Sequence, residues 1–138
     1  MRGHTLLEIV VVLVIAGVLL ALAIPSLGAW RDRQAVHEAR REIVSALVAA
    51  RTTALTRGMV TSVVVDSARG TVRVMVDTES MLVHDVRTEL GVTLRSTRDS
   101  IAYAPSGRGA GAANTTIIVA RGAAAETVSV SRLGRARW

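Results

Sequence analysis

The hydrophobic pattern of this chain changes twice along its length. From Ile9 to Ile24 the run IVVVLVIAGVLLALAI carries no charge. At about 1.5 Å of rise per residue, a helix from His4 to Ile24 is about 32 Å long, enough to span the hydrocarbon core of a bilayer. Beyond Pro25, apolar residues recur at three- and four-residue steps: Val36, Ala39, Ile43, Ala46, Leu47, Ala50 and Ala54. Arg33, Glu38, Arg40, Arg41 and Glu42 fall on the other face, which predicts an amphipathic helix ending near Arg57 with Gly58 as its cap. Pro25 removes a backbone donor and crowds the preceding turn, and Ser26 and Gly28 soften the same place. One long helix kinked at Pro25 is therefore expected.

After Gly58 the period shortens to that of strands. Val60–Val65, Thr71–Val76, Met81–Val86, Gly91–Leu94, Thr115–Ala120 and Thr127–Ser131 are rich in β-branched residues and separated by turn residues. Ser67-Ala68-Arg69-Gly70 fits a hairpin turn between the first two. The Gly-rich stretch Ser106–Ala113 reads as a surface loop. The fold class predicted is α+β: a long N-terminal helix, transmembrane in its first half and amphipathic in its second, packed on an antiparallel β-sheet.

Composition sharpens this in three ways. Half of the 138 residues are apolar, but the only aromatics are Trp30, Tyr103 and Trp138, so the core must come from Val, Ile, Leu and Ala, and a base-stacking platform is not expected. The 17 basic residues are all Arg and outweigh 11 acids, a net charge of +6 that suits anionic partners or lipid headgroups, and suits equally a plain solvated surface. With no Cys, and His4, His37 and His84 at no ligand spacing, neither a metal site nor a cofactor is expected. No Ser, His and acid form a catalytic motif, and SGRGAG lacks the GK[ST] of a phosphate loop, so the chain is not expected to be an enzyme.

Glu8 is the unusual residue of the apolar segment. Burying its carboxylate in hydrocarbon without a partner costs about 2.5–3.5 kcal/mol. It either snorkels to headgroups or meets a cation, such as the α-amino group that cleavage after Gly3 would create on His4. The segment RGHTLLEIVVVLVIAGVLLALAIPSL resembles the prepilin signal of type IV pilins and type II secretion pseudopilins. That resemblance implies cutting by a prepilin peptidase after Gly3, methylation of the new amine on His4, a role for Glu8 in registering subunits during assembly, and the helix-kinking proline at Pro25. His4 stands where the family usually has Phe or Met. A single Arg2 before the span, against Arg31, Arg33, Arg40 and Arg41 after it, would by charge alone predict the opposite orientation, and points to a basic leader upstream of Met1. The family orientation is adopted, with the C-terminal domain outside the cytoplasm.

The whole chain is further similar to the GspH/FimT branch of minor pseudopilins and minor pilins. AARTTALTRGMVTSVVVD at 49–66, IAYAPSGRGAG at 101–111 and VSVSRLGRARW at 128–138 carry the likeness. It implies a leader at 1–3, a transmembrane and filament-core helix at 4–28, and a periplasmic pilin-like domain at 29–138. The protein would be single-pass in a bacterial inner membrane and then part of a pseudopilus or pilus, beside other pilin-like subunits. Two functions follow: a structural minor pseudopilin of type II secretion, or a minor pilin binding DNA in natural transformation. In the second, the ending Gly134-Arg135-Ala136-Arg137 matches a GRxR tail linked with DNA binding. On an extended strand Arg135 and Arg137 would point the same way, with Arg132, Arg108 and Arg121 nearby. The same arginines could instead simply close and solvate an edge strand.

Overall fold

The computed structural model describes residues 5–111 and 114–138, without the side chains of 22–26. Gly3 and His4 lie outside the described residues, as does the side-chain geometry of the expected kink at Pro25. One helix, α1, runs from Leu6 to Arg57, 52 residues in all. The Thr5 hydroxyl accepts from the Glu8 amide at its start, and Gly58 ends it in the left-handed conformation at φ 64°, as the Arg57-Gly58 signal predicts.

The second half of α1 binds the domain. Val36, Ala39, Ile43, Ala46, Leu47, Ala50 and Ala54 are all buried, so the three- and four-step stripe is the packed face of the helix. Four of these are alanines, which let the helix lie close to the strands it covers. Among the described residues the core cluster draws on none before Ala35. The first half is different, because Leu6, Val12 and Leu20 are 81%, 59% and 64% exposed and touch no core. Among the described residues no helix is long and apolar enough to cross a membrane; the described apolar stretch ends at Ala21.

The strands are antiparallel, as expected, and they divide into two sheets. β1 (Thr61–Asp66), β2 (Thr71–Val76), β3 (Glu79–Asp85), β5 (Ser100–Tyr103) and β6 (Gly109–Ala110) make a five-stranded sheet in the order β3-β2-β1-β5-β6. β4 (Thr93–Ser96), β7 (Thr115–Arg121), β8 (Ala124–Val130) and β9 (Ala136–Arg137) make a four-stranded one in the order β4-β7-β8-β9. Both cover α1. Burial alternates along β1, β2 and β7, with Val63, Val65, Val72, Val74, Ile117 and Val119 turned to the helix.

Three local expectations are corrected. The predicted strand Met81–Val86 begins earlier, at Glu79, and ends at Asp85, because Val86–Leu90 forms a short helix, α2. The Asp85 carboxylate accepts the Thr88 amide at 2.9 Å and Gly91 closes the other end at φ 64°, a capped turn that the β-branched run concealed. The strand predicted at Gly91–Leu94 is shifted to Thr93–Ser96 for the same reason. Ser100–Tyr103, Gly109–Ala110 and Ala136–Arg137 are strands that short length hid.

Gly70 closes the β1–β2 hairpin at φ +72°, and a Cβ there would lie 2.5 Å from the Arg87 Cβ. Gly58, at φ +64°, has open space around it. Gly58→Ala is expected to lose about 1–3 kcal/mol from backbone strain alone. Gly70→Ala should lose more, since α2 must also move; urea denaturation of the two variants measures the difference.

Candidate functional site

The first group of chemistry-bearing residues fastens the sheets to α1. Arg121, at the end of β7, pairs with Asp32 at 3.0 Å and donates to the Leu90 carbonyl that ends α2. A Cβ on the neighbouring Gly122 would fall on the Asp32 carboxylate and push it aside. Farther along the helix, Arg40 bonds Glu126 of β8 at 2.9 Å and reaches the Nδ1 of His37 at 3.2 Å. On the other sheet, His84 of β3 faces Glu42 at 3.7 Å. Burial raises the Glu42 carboxyl above the usual carboxylate range; His84 pulls it down, and Glu89 and Glu38 push it up. The weak pairing distance explains why burial wins.

The second group gathers around the C-terminal tail. Arg135 is not on an extended strand: its amide bonds the Ser131 hydroxyl at 3.2 Å and its carbonyl accepts the Ser131 amide at 2.9 Å, making a turn. Strand β9 begins one residue later, with Ala136 opposite Val130 and Arg137 opposite Ser129. The expectation that Arg135 and Arg137 point the same way rested on two residues in one strand, and the turn removes that premise. They line two different grooves, one on each side of the tail.

Gly134, buried at φ +74°, brings the tail against the β5–β6 hairpin. A Cβ there would meet the Tyr103 ring at 2.8 Å and the Gly109 amide at 2.9 Å. This contact sets Arg132 and Arg135 beside the hairpin that carries Arg108, all three exposed. Arg121 does not join them. It lies at the far end of β7 from Thr115, whose partner Val130 precedes the tail, a separation of about 20 Å at the usual strand rise.

One arginine escaped the sequence reading. Arg98 lines the same groove as Arg137, a hollow of about 690 Å³ with Thr97, Asn114, Thr115, Thr116, Ser129 and Ser131 along its walls. Among the described residues no acid lines it. Pairing register builds this row: Thr97 and Thr116 exchange hydrogen bonds, Thr116 opposes Ser129, and Ser129 opposes Arg137. Nothing in the spacing of Arg98 and Arg137 along the chain announces it. The second groove, of about 330 Å³, is lined by Leu47, Val48, Arg51, Tyr103, Gly134, Arg135, Ala136 and Trp138.

With this arrangement in view, the sequence matches the family described as Type II transport protein GspH over residues 39–134, more than half of the chain. The chain belongs to the GspH family. The GspH match takes in α1 from Ala39 onward, every strand but β9, and the tail as far as Gly134. Two crystal forms of the type IV minor pilin FimU of Pseudomonas aeruginosa share this fold. One superposes with a TM-score of 0.64 over 76% of this chain and 88% of FimU, at 14% identity. The other gives 0.60 over 73% and 90%, again at 14%. No curated protein matches the sequence. The GspH family makes the chain a pilin-like subunit that assembles with other such subunits in a pilus or pseudopilus.

The half-buried Glu42 gives a pH test. A carboxyl whose folded value is raised binds its proton more tightly when folded, so its contribution is present below the usual carboxylate pKa and lost as pH rises through the folded one. At neutral pH the charged Glu42 therefore weakens the domain. Glu42→Gln should raise Tm at pH 7–8, and the gain should shrink as the pH falls to about 4; parallel melting curves read it.

Proposed function

We propose that this GspH-family chain is a minor pseudopilin, a structural subunit of a type II secretion pseudopilus that assists protein export. It needs no catalytic chemistry. The observation that carries the reading is the unmatched halves of α1. Leu6 to Leu20 expose apolar side chains along the helix, while every core residue among those described lies at or beyond Ala35. Such a surface is unstable in water at about 25 cal/mol per Å², so it asks for a membrane first and neighbouring pilin helices afterwards. Residues 4–28 then form a single-pass inner-membrane anchor and filament-core helix, with 29–138 in the periplasm. The leader 1–3 is removed by prepilin peptidase after Gly3, His4 carries the new, methylated amine, and Glu8 registers the subunit against that of a neighbour.

Co-expression with a prepilin peptidase tests this. The mature chain should begin at His4 by mass spectrometry, and Gly3→Ala should block the cut. Glu8→Ala should leave cleavage intact but lower recovery of the chain in sheared filaments by about tenfold or more, since the terminal amine of the neighbouring subunit then loses the carboxylate that registers it. Normal recovery of Glu8→Ala would remove Glu8 from assembly.

The Arg98–Arg137 groove favours a second reading, a minor pilin that holds DNA during transformation. Its acid-free, hydroxyl-lined wall suits a phosphodiester backbone, with Arg132, Arg135 and Arg108 close by across the tail. Fluorescent duplex titrated against the full chain in non-ionic detergent should bind weakly and lose affinity with salt. Arg137→Ala or Arg98→Ala should each lower the salt slope by about one. No binding at low salt leaves the secretion reading alone.

A further inference from the structure

The groove on the other side of the tail has a different chemistry. Its floor is apolar, made of Leu47, Val48 and Ala136, and its rim carries two guanidiniums, Arg51 and Arg135. Among the described residues no Asp or Glu lines it. Trp138 stands in it 65% exposed, an expensive position for so large an apolar side chain. Tyr103, whose hydroxyl is raised by burial and lowered by the nearby charge of Arg51, forms the inner wall. Gly134 keeps that wall open, since any side chain there would strike the Tyr103 ring. About 330 Å³ holds one flat heteroaromatic ring with its attached anion, and is too small for a duplex.

We propose that this groove is a stacking subsite for one unpaired nucleobase of single-stranded DNA, a single tryptophan for a single base where the scarcity of aromatics led us to expect no stacking platform. The base lies on the Trp138 face over the apolar floor, and Arg51 and Arg135 take the flanking phosphates. Stacking on an aromatic face is indifferent to which base it is, because every base has one, and a neighbouring guanidinium adds to it. A base paired in a helix cannot reach Trp138 without leaving its stack. The subsite therefore gives the protein a preference for single strands, while the Arg98–Arg137 groove contacts only backbone and serves either form. The inference rests on the DNA-binding reading above and adds the strand form to it.

The test uses the full chain in non-ionic detergent, with fluorescein-labelled dT12 and a 12-base-pair duplex as probes at low salt. Trp138→Ala should weaken binding to dT12 by about 5- to 100-fold and binding to the duplex by less than about twofold. Trp138→Phe should retain most of the single-strand affinity, and Trp138→Leu should not; a side chain needed only as apolar cover would be replaced by either. In a Trp30→Phe background, dT12 should quench the remaining Trp138 fluorescence. Equal losses for both probes, or none in Trp138→Ala, overturn the stacking subsite. If Arg137→Ala still weakens duplex binding and lowers its salt slope in that case, the DNA reading survives without it. If the wild type binds neither probe, both fall. A Trp138→Ala chain that binds dT12 normally but no longer assembles with other pilin subunits overturns the subsite in favour of a subunit contact.

Discussion

Everything in the domain is arranged around the fact that two separate sheets share one helix. Neither sheet has a second layer of its own, so each buries its apolar face only by lying on α1, and Ala39, Ile43, Ala46 and Leu47 serve as the common floor. A shared floor gives hydrophobic cohesion but little directional information. Direction is supplied at the margins, where Arg121 meets Asp32, Arg40 meets Glu126 and His84 faces Glu42. Each of these contacts joins a strand to the helix, so the polar groups fix how the sheets sit and the alanines fix how closely. That division also explains why a carboxyl such as Glu42 is held in a partly buried place where burial works against its charge.

Much of this is legible in the amino-acid sequence. The stripe of Val36, Ala39, Ile43, Ala46, Leu47, Ala50 and Ala54 is the buried face of α1 because a helical period survives translation into three dimensions unchanged. The same holds for the β1–β2 hairpin, whose turn chemistry is local. α2 was hidden because Val86 continues a β-branched run, and only the Asp85 cap at one end and Gly91 at the other convert it to a helix. The split into two sheets is non-local: Thr61 pairs with Tyr103 and Thr93 with Ala120, choices that no short window contains.

The tail shows the same limit at the level of a site. Arg135 and Arg137 stand out in the sequence by their spacing, yet a turn through Ser131 separates them onto two sides of the last strand. Arg98 has no sequence signal at all and reaches Arg137 through a row of hydroxyl-bearing neighbours across three strands. Arg121, equally basic, is committed to Asp32 instead. Charge count therefore ranks candidates poorly here, and pairing register ranks them well.

The contact at Gly134 has a consequence for how these basic grooves behave. The tail lies against the β5–β6 hairpin by close steric fit with Tyr103 and Gly109, each of the two closed by its own backbone bonds, with the arginines mounted on top. Ionic screening acts on charges and leaves steric fit and main-chain bonds almost untouched. The scaffold under the guanidiniums is accordingly the same in dilute and in concentrated salt. Any ionic-strength dependence of what they hold then reports the ligand's counterions and not a loosening of the receptor.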